Sequence, residues 1–340
     1  MKKIMCIIVC VLTVLSMCSC KNETAVPAGS GAESRPTQSE GTVTSDKEQD
    51  VESEPVSEPE TSQSSQEKPQ SQPETKPESD TDTETVKPGL PKLNYTVNDA
   101  ENERGLSTEK KGFSFGVAAN GVPHSQSVTN QKTFDAFENV EALALDTKTQ
   151  EKIMYLTLDN GYEYKNLTAD ILDTLKKKNV KAAFFVTLSY VKQNPKLVQR
   201  MIDEGHIVGN HSATHPSFPK LTRTEMAQEI ATLDNYLRDN FSYTSPYFRF
   251  PAGEHSECAL ELVTSIGFKS IFWSVAYADW DTSTQKGADY AFSTVTSRFH
   301  PGAVILLHAV SQDNADALGR IIDEAHNQGY KFKTLNDYSY

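Results

Sequence analysis

The chain is 340 residues long and carries 46 Asp and Glu against 33 Lys and Arg, a formal net charge of -13. At roughly 100–200 residues per domain, that length points to two domains or to one large barrel with additions. No segment has the basic surplus that phosphate contacts need, which excludes a nucleic-acid binder, and 17 Gly with 5 Cys exclude a collagen-like or disulfide-scaffold protein.

The charge is uneven, and the chain divides along it. Residues 1–20 carry only Lys2 and Lys3, ahead of an apolar run over 5–17. That run is short for a bilayer span and suits the core of a signal peptide. It ends in Ser16-Met17-Cys18-Ser19-Cys20, which resembles a bacterial lipobox. Such a motif wants a small residue before the lipidated cysteine, so Ser19-Cys20 fits better than Met17-Cys18. The expectation is an exported chain anchored through Cys20 to the outer face of the cytoplasmic membrane, with an ordinary secretory signal as the alternative. Loss of the signal would leave Cys20, acylated, and Cys258, so no structural disulfide is expected.

Residues 21–89 hold 16 acids, 6 bases and 8 of the chain's 16 prolines, with no aromatic residue. Such a stretch cannot bury enough apolar surface to offset its ordering entropy. It is expected to be a disordered acidic stalk, with the linker continuing to residue 111. As a flexible coil it would span roughly 45–50 Å. Only -5 of the net charge remains for residues 90–340.

From residue 112 the chain reads as globular, beginning with an arm over 112–150. Strands are predicted over 153–158, 182–187, 206–209, 247–250, 270–275, 303–307 and 330–335, and helices over 167–178, 195–204, 223–240 and 254–266. Thr222 and Glu225 have the spacing of a capping box, and Gly205 and Gly329 stand where helices stop. Seven strands alternating with helices imply an α/β fold with a parallel sheet, either a barrel or doubly wound. Chemistry in both gathers at the carboxyl ends of the strands.

The polar residues fall there. The first strand runs into Asp159-Asn160-Gly161-Tyr162, where Asn-Gly marks a turn, so Asp159 is delivered into a loop as a base or a helix cap. After the third strand, His211 and His215 at i and i+4 would meet on one side of a helical turn and can share a metal. Their spacing is that of zinc-protease helices, but Ser212 stands where the glutamate base would be. A further ligand has to come from elsewhere. Arg249, beside Pro251-Ala252-Gly253, can pair with a carboxylate or sit at a loop edge. Asp279 adjoins Trp280, an aromatic of the kind that packs on sugar rings or fills core space. His308 ends an apolar strand, where a lone histidine is more often a satisfied core residue than a catalyst. Cys258 reads as a packed thiol.

In order, residues 157–161, 211–215, 249–253, Asp279-Trp280 and 306–308 resemble the five motifs of the polysaccharide deacetylase family, also called the NodB-homology family or carbohydrate esterase family 4. The resemblance runs from about residue 150 to the end. It implies a distorted seven-stranded (β/α) barrel, in agreement with the strand count. Asp159-Asn160-Gly161-Tyr162-Glu163, residues 273–280 and 308–315, and the arm's Gly112-Phe113-Ser114-Phe115-Gly116 look more narrowly like the δ-lactam-forming peptidoglycan deacetylases. Those enzymes remove the acetyl group from N-acetylmuramic acid already stripped of peptide. The freed amine and the lactyl carboxyl then close to muramic δ-lactam, a modification of the spore cortex.

Residue by residue, the resemblance implies Asp159 as general base toward water, Arg249 holding that base, and the Ala252 N–H at the oxyanion. It implies His308 as general acid, tuned by Asp279. His211, His215 and Asn160 would be metal ligands, and Tyr162 and Trp280 would line the sugar groove or pack. Most of the wider family has a second aspartate where Asn160 stands. A neutral amide oxygen removes a negative charge and should weaken divalent binding, with zinc, manganese, magnesium and cobalt all compatible. The implied partners are peptidoglycan glycan strands and, through the lipid, a membrane, for a monomeric enzyme. Two other functions fit the same residues: deacetylation of N-acetylglucosamine glycans or acetyl esters, and, in a different class, a non-catalytic glycan-binding lipoprotein.

Overall fold

A computed structural model describes residues 94–340; the expected signal, Cys20 and the stalk up to residue 93 lie outside the described residues. Strand β2 (Ile153–Asn160) is the hub, with all eight residues buried, as a parallel strand covered on both faces requires. Strand β7 (Ala303–His308) pairs with one edge of β2 from Met154 to Asp159. The other edge is shared. Strand β8 (Lys331–Lys333) takes Ile153 to Tyr155, and β3 (Ala183–Val186) takes Thr157 to Asn160. Beyond β3 come β4 (Ile207–Asn210), β5 (Tyr247–Phe248), β6 (Lys269–Ile271) and β1 (Ala142–Leu143), each parallel to its neighbour.

The sheet closes at a seam without a continuous ladder. After β6 the chain reaches Val275, which bridges Ile305 of β7, with Leu306 N–H donating to Val275 O at 2.8 Å and Ser274 N–H to Val304 O at 2.9 Å. After β1, Leu145 bridges Ala303, and Asp146 N–H bonds Gly302 O at 2.9 Å. Gly302 has φ 73°, and a Cβ there would lie 2.1 Å from Asp146 O, so only glycine lets the seam close. The expected distorted barrel is present. All seven predicted strands appear, but the fourth ends at Phe248, the seventh covers only Lys331–Lys333, and the fifth ends at Ile271 because the residues beyond it cross to the seam; β1 adds an eighth among the described residues.

Side-chain parity sorts the core into layers. Ile153 and Tyr155 join Ala183, Phe185, Ile207, Tyr247, Ile271 and Val304 inside the barrel. Met154, Leu156 and Leu158 point out, against α2 (Leu167–Lys178) and α8 (Gln312–Asn327), in one cluster with residues of α4 (Pro195–Asp203) and α7 (Ala288–Thr296). A second outer cluster joins Phe134 of α1 (Ser125–Ala136) to Phe248, Phe250, Phe272 and the inner face of α6 (Glu257–Ser265). Thr157 and Asp159 thus continue the inward row. Thr222 and Glu225 form the expected capping box at the start of α5 (Arg223–Phe241). Helix α6 begins later than predicted because Pro251–Gly253 forms its own 3-10 turn, leaving Ser256 to cap the helix.

Composition assigned residues 94–111 to the linker, and here the structure corrects it. Tyr95 packs beside the second outer cluster and donates its hydroxyl to Asp234. Arg104 pairs with Asp99 and Glu261, each at 2.8 Å. Cys258 N–H bonds Ser107 O at 3.0 Å, and Lys111 bridges His255. The barrel partners of this polar strap lie more than a hundred residues away in sequence, beyond the reach of local composition.

Candidate active site

Asp159 and His308 are register partners at the carboxyl ends of β2 and β7. Arg249, just past β5, is fully buried, and Asp159 is buried beside it. Its Nη1 donates to Asp159 Oδ1 at 2.8 Å, Nη2 to Thr157 Oγ1 at 2.9 Å and Phe272 O at 3.2 Å, and Nε to Ile271 O at 3.0 Å. The guanidinium lies 4.2 Å from the Phe185 ring centroid. A planar cation so held can aim one carboxylate oxygen and leave the other free. Burial pushes the Asp159 carboxyl up, but the Arg249 charge, with His211 and His308 behind it, outweighs burial, and the group stays ionised below its ordinary range.

The free oxygen, Oδ2, lies 3.6 Å from His211 Nε2. His211 Nδ1 donates to Arg249 O at 2.8 Å, and burial lowers its pKa to about 4. A neutral ring whose Nδ1 carries the proton turns an unprotonated Nε2 outward, the state a metal ligand needs. His215 meets it edge-on, rings 4.8 Å apart. The two do not share a helical turn as their spacing suggested. They sit in a loop after β4 in which Ser212 and His215 both adopt positive φ, and Ser212 Oγ accepts from His215 N–H at 2.9 Å. Asn160 is fully buried, and its Oδ1 has no hydrogen-bond partner. Among the described residues no three His, Cys, Asp or Glu side chains group to hold a metal; the donors here are two imidazoles and an amide oxygen. A buried carbonyl oxygen without a partner and two imidazoles whose pKa values burial lowers are a donor set that fits a divalent cation.

His308 is clamped by Asp279, which accepts from Nδ1 at 2.7 Å and from the His308 backbone N–H at 2.8 Å. Asn314 donates to the same carboxylate at 2.6 Å and accepts from Tyr277 at 2.6 Å. Burial alone would lower the His308 pKa, but the Asp279 hydrogen bond and charge, with Asp159 adding, hold it above the ordinary value. Trp280 is 58% exposed with its ring 5.9 Å from His308, and Tyr162 is 49% exposed, so neither fills core space. Ala252 holds φ 53° in the turn after Arg249, a left-handed conformation that an alanine rarely takes.

Every residue singled out in the sequence from 159 to 308 as a site candidate therefore lies at or just past the carboxyl end of a strand. Two contributors were not singled out individually, Asn314 and the Thr157 hydroxyl, which accepts from Arg249 and donates to Ile305 O at 2.6 Å. Both lay within the motif stretches, and neither has chemistry of its own to announce it.

Residues 146–271 match the polysaccharide deacetylase family model. The chain is 40% identical over 222 residues to the peptidoglycan-N-acetylmuramic acid deacetylase PdaA of Bacillus subtilis, covering 64% of this chain and 82% of that protein. It is 35% identical over 184 residues to a peptidoglycan-N-acetylglucosamine deacetylase of Bacillus cereus, covering 53% and 66%. Among solved structures, Bacillus subtilis PdaA, a family 4 carbohydrate esterase, superposes with a TM-score of 0.62 at 38% identity over 68% of this chain and 97% of that one. A family 4 carbohydrate esterase from Bacillus anthracis gives 0.55 at 35% identity over the same shares.

Proposed function

Because the chain belongs to the polysaccharide deacetylase family, hydrolases also known as carbohydrate esterase family 4, we propose that it removes the acetyl group of N-acetylmuramic acid in peptide-free peptidoglycan strands, leading to muramic δ-lactam. The observation that carries the reading is the pairing of a held base with a tuned acid on adjacent strands. Asp159, kept ionised by Arg249, takes a proton from the attacking water at Oδ2. His308, protonated at Nδ1 toward Asp279, delivers its Nε2 proton to the departing amine. The products are acetate and a free amino sugar. The Ala252 N–H is assigned to the carbonyl oxygen as it gains charge, and Trp280 and Tyr162 to the sugar faces.

Family 4 deacetylases are generally metal-dependent. His211, His215 and Asn160 would hold a divalent cation, which when bound supplies Lewis-acid polarisation of the acetyl carbonyl and of water. Identity of 40% across 82% of the muramic acid enzyme, against 35% across 66% of the glucosamine enzyme, favours muramic acid. The test is incubation of the full-length protein with peptide-stripped and peptide-bearing strands. Acetate and a product lighter by one acetyl are expected from stripped strands, further loss of water reports lactam closure, and Asp159→Asn should abolish turnover with the fold intact. Release from N-acetylglucosamine alone would move the substrate to that sugar. No acetate from any amino-sugar glycan, with binding retained, would sink the enzymatic reading.

The lipobox-like end of the apolar run supports an exported, membrane-anchored protein lipidated at Cys20. No helix among the described residues is long and apolar enough to cross a membrane. Cys20→Ala should move the protein from the membrane fraction to the medium. Unchanged partition would refute the anchor.

A further inference from the structure

Behind Asn160 lies a buried polar row that neither base nor acid uses. Asn160 Nδ2 donates to Thr168 Oγ1 at 3.2 Å, both residues being buried. Tyr190, fully buried on α3 (Leu188–Gln193), donates its hydroxyl to Glu163 Oε2 at 3.2 Å, and Thr168 N–H bonds Glu163 Oε1 at the same distance. The Thr168 and Asn160 side chains lie beside the Tyr190 hydroxyl and favour its oxygen as an acceptor. In this row Asn160 Oδ1 alone is left without a partner.

The direction of such a row is set by the member that can act in only one sense. Hydroxyls donate or accept, an amide can turn over, but a carboxylate only accepts. Glu163 obliges Tyr190 to donate toward it. With its proton committed to Glu163, the Tyr190 oxygen offers only lone pairs to the Thr168 and Asn160 side chains beside it, which turns the Thr168 proton toward Tyr190 and leaves Thr168 Oγ1 to accept from Asn160. The amide is thereby turned with its NH2 into the row and its carbonyl oxygen away from it. An aspartate at this position would show oxygen in either orientation. An asparagine does so only if something fixes its sense, because its NH2 repels a cation.

We propose that Glu163 is a positioning residue that, through Tyr190 and Thr168, holds the Asn160 oxygen toward the metal position and so lets an asparagine serve where the wider family has an aspartate. The inference rests on the metal site proposed above. The full-length protein is titrated with Zn²⁺ alone, without glycan, and its melting temperature is followed in parallel. Glu163→Gln keeps the shape but removes the one-way end, and affinity should fall roughly tenfold or more, as for other outer-shell partners. Tyr190→Phe should do the same, and stands in if Glu163→Gln fails to fold. In an Asn160→Asp background the added Glu163→Gln should cost nothing, since either carboxylate oxygen serves. An equal loss in both backgrounds, or no loss in Glu163→Gln while the parent binds, overturns the relay and leaves the metal site standing. A parent that binds no Zn²⁺ overturns both.

Discussion

The His308 imidazole stands partly buried at the end of β7, and its state is set by the groups that hold it: Asp279 on Nδ1 and the backbone N–H, with Asn314 bracing the carboxylate. Its folded pKa is raised, so the acid form persists to higher pH than in a free imidazole. By the same linkage, the pair's contribution to stability is full below the unfolded value of about 6.5 and is lost as pH rises through the folded value. Asp279→Asn removes the charge and one of the two acceptor oxygens. The alkaline limb of kcat should move to lower pH, whereas His308→Gln should abolish that limb and cost roughly 10²–10⁴-fold in rate. A limb that stays put in Asp279→Asn would separate the carboxylate from the acid. At this scale the sequence was legible wherever a residue had its own chemistry, as at Asp159, Arg249 and Asp279. It was silent where the role is to fix another group: Asn314 became visible only when α8 brought it to a carboxylate 35 positions earlier.

Among the elements, β2 and β7 were legible because a central parallel strand must be apolar on both faces, and a run of such residues between turn signals reads directly as a buried strand. Helix α1 shows the opposite case. Its buried positions are Ser127, Gln131 and Phe134, so its inner face is largely polar and no amphipathic period appears. The reason is Gln131, whose amide donates to Ala142 O at 2.9 Å and accepts from Ala144 N–H at 2.7 Å. A glutamine thus satisfies the outer edge of β1 in place of another strand. Strand β1 is two residues long and escapes any periodicity test. The histidine loop misled for a related reason. The spacing of His211 and His215 is helical, but positive φ at Ser212 and His215 brings the rings together without a helix.

For the molecule as a whole, the folded unit begins earlier than composition suggests. Removing residues 1–93 should leave thermal stability unchanged, while removing 1–111 strips Tyr95 from Asp234 and Arg104 from Glu261. The second truncation should melt several degrees lower, on a scale of roughly 2–4 °C per kcal/mol for a domain of this size. Equal melting temperatures would reduce the strap to decoration. The acidity that dominates the whole sequence is concentrated in residues 21–89, and the site instead balances single charges pair by pair, Asp159 with Arg249 and Asp279 with His308.

The alternation along β2 has a consequence for how this enzyme can change. Asp159 belongs to the inward row with Ile153 and Tyr155, whereas Asn160 belongs to the outward row with Leu156 and Leu158 and reaches Thr168 on α2. Two neighbours in the chain thus take different supports, Arg249 for Asp159 and Thr168 for Asn160, while both stand at the carboxyl end of the strand where the site lies. A point substitution at either leaves the alternation itself intact. Shifts of the chain are another matter, because a one-residue insertion ahead of Asp159 would exchange the two rows and turn the carboxylate toward the helices. A two-residue insertion would keep the rows but carry Asp159 roughly 6–7 Å past its register partner His308, so parity and register together fix the length of this strand.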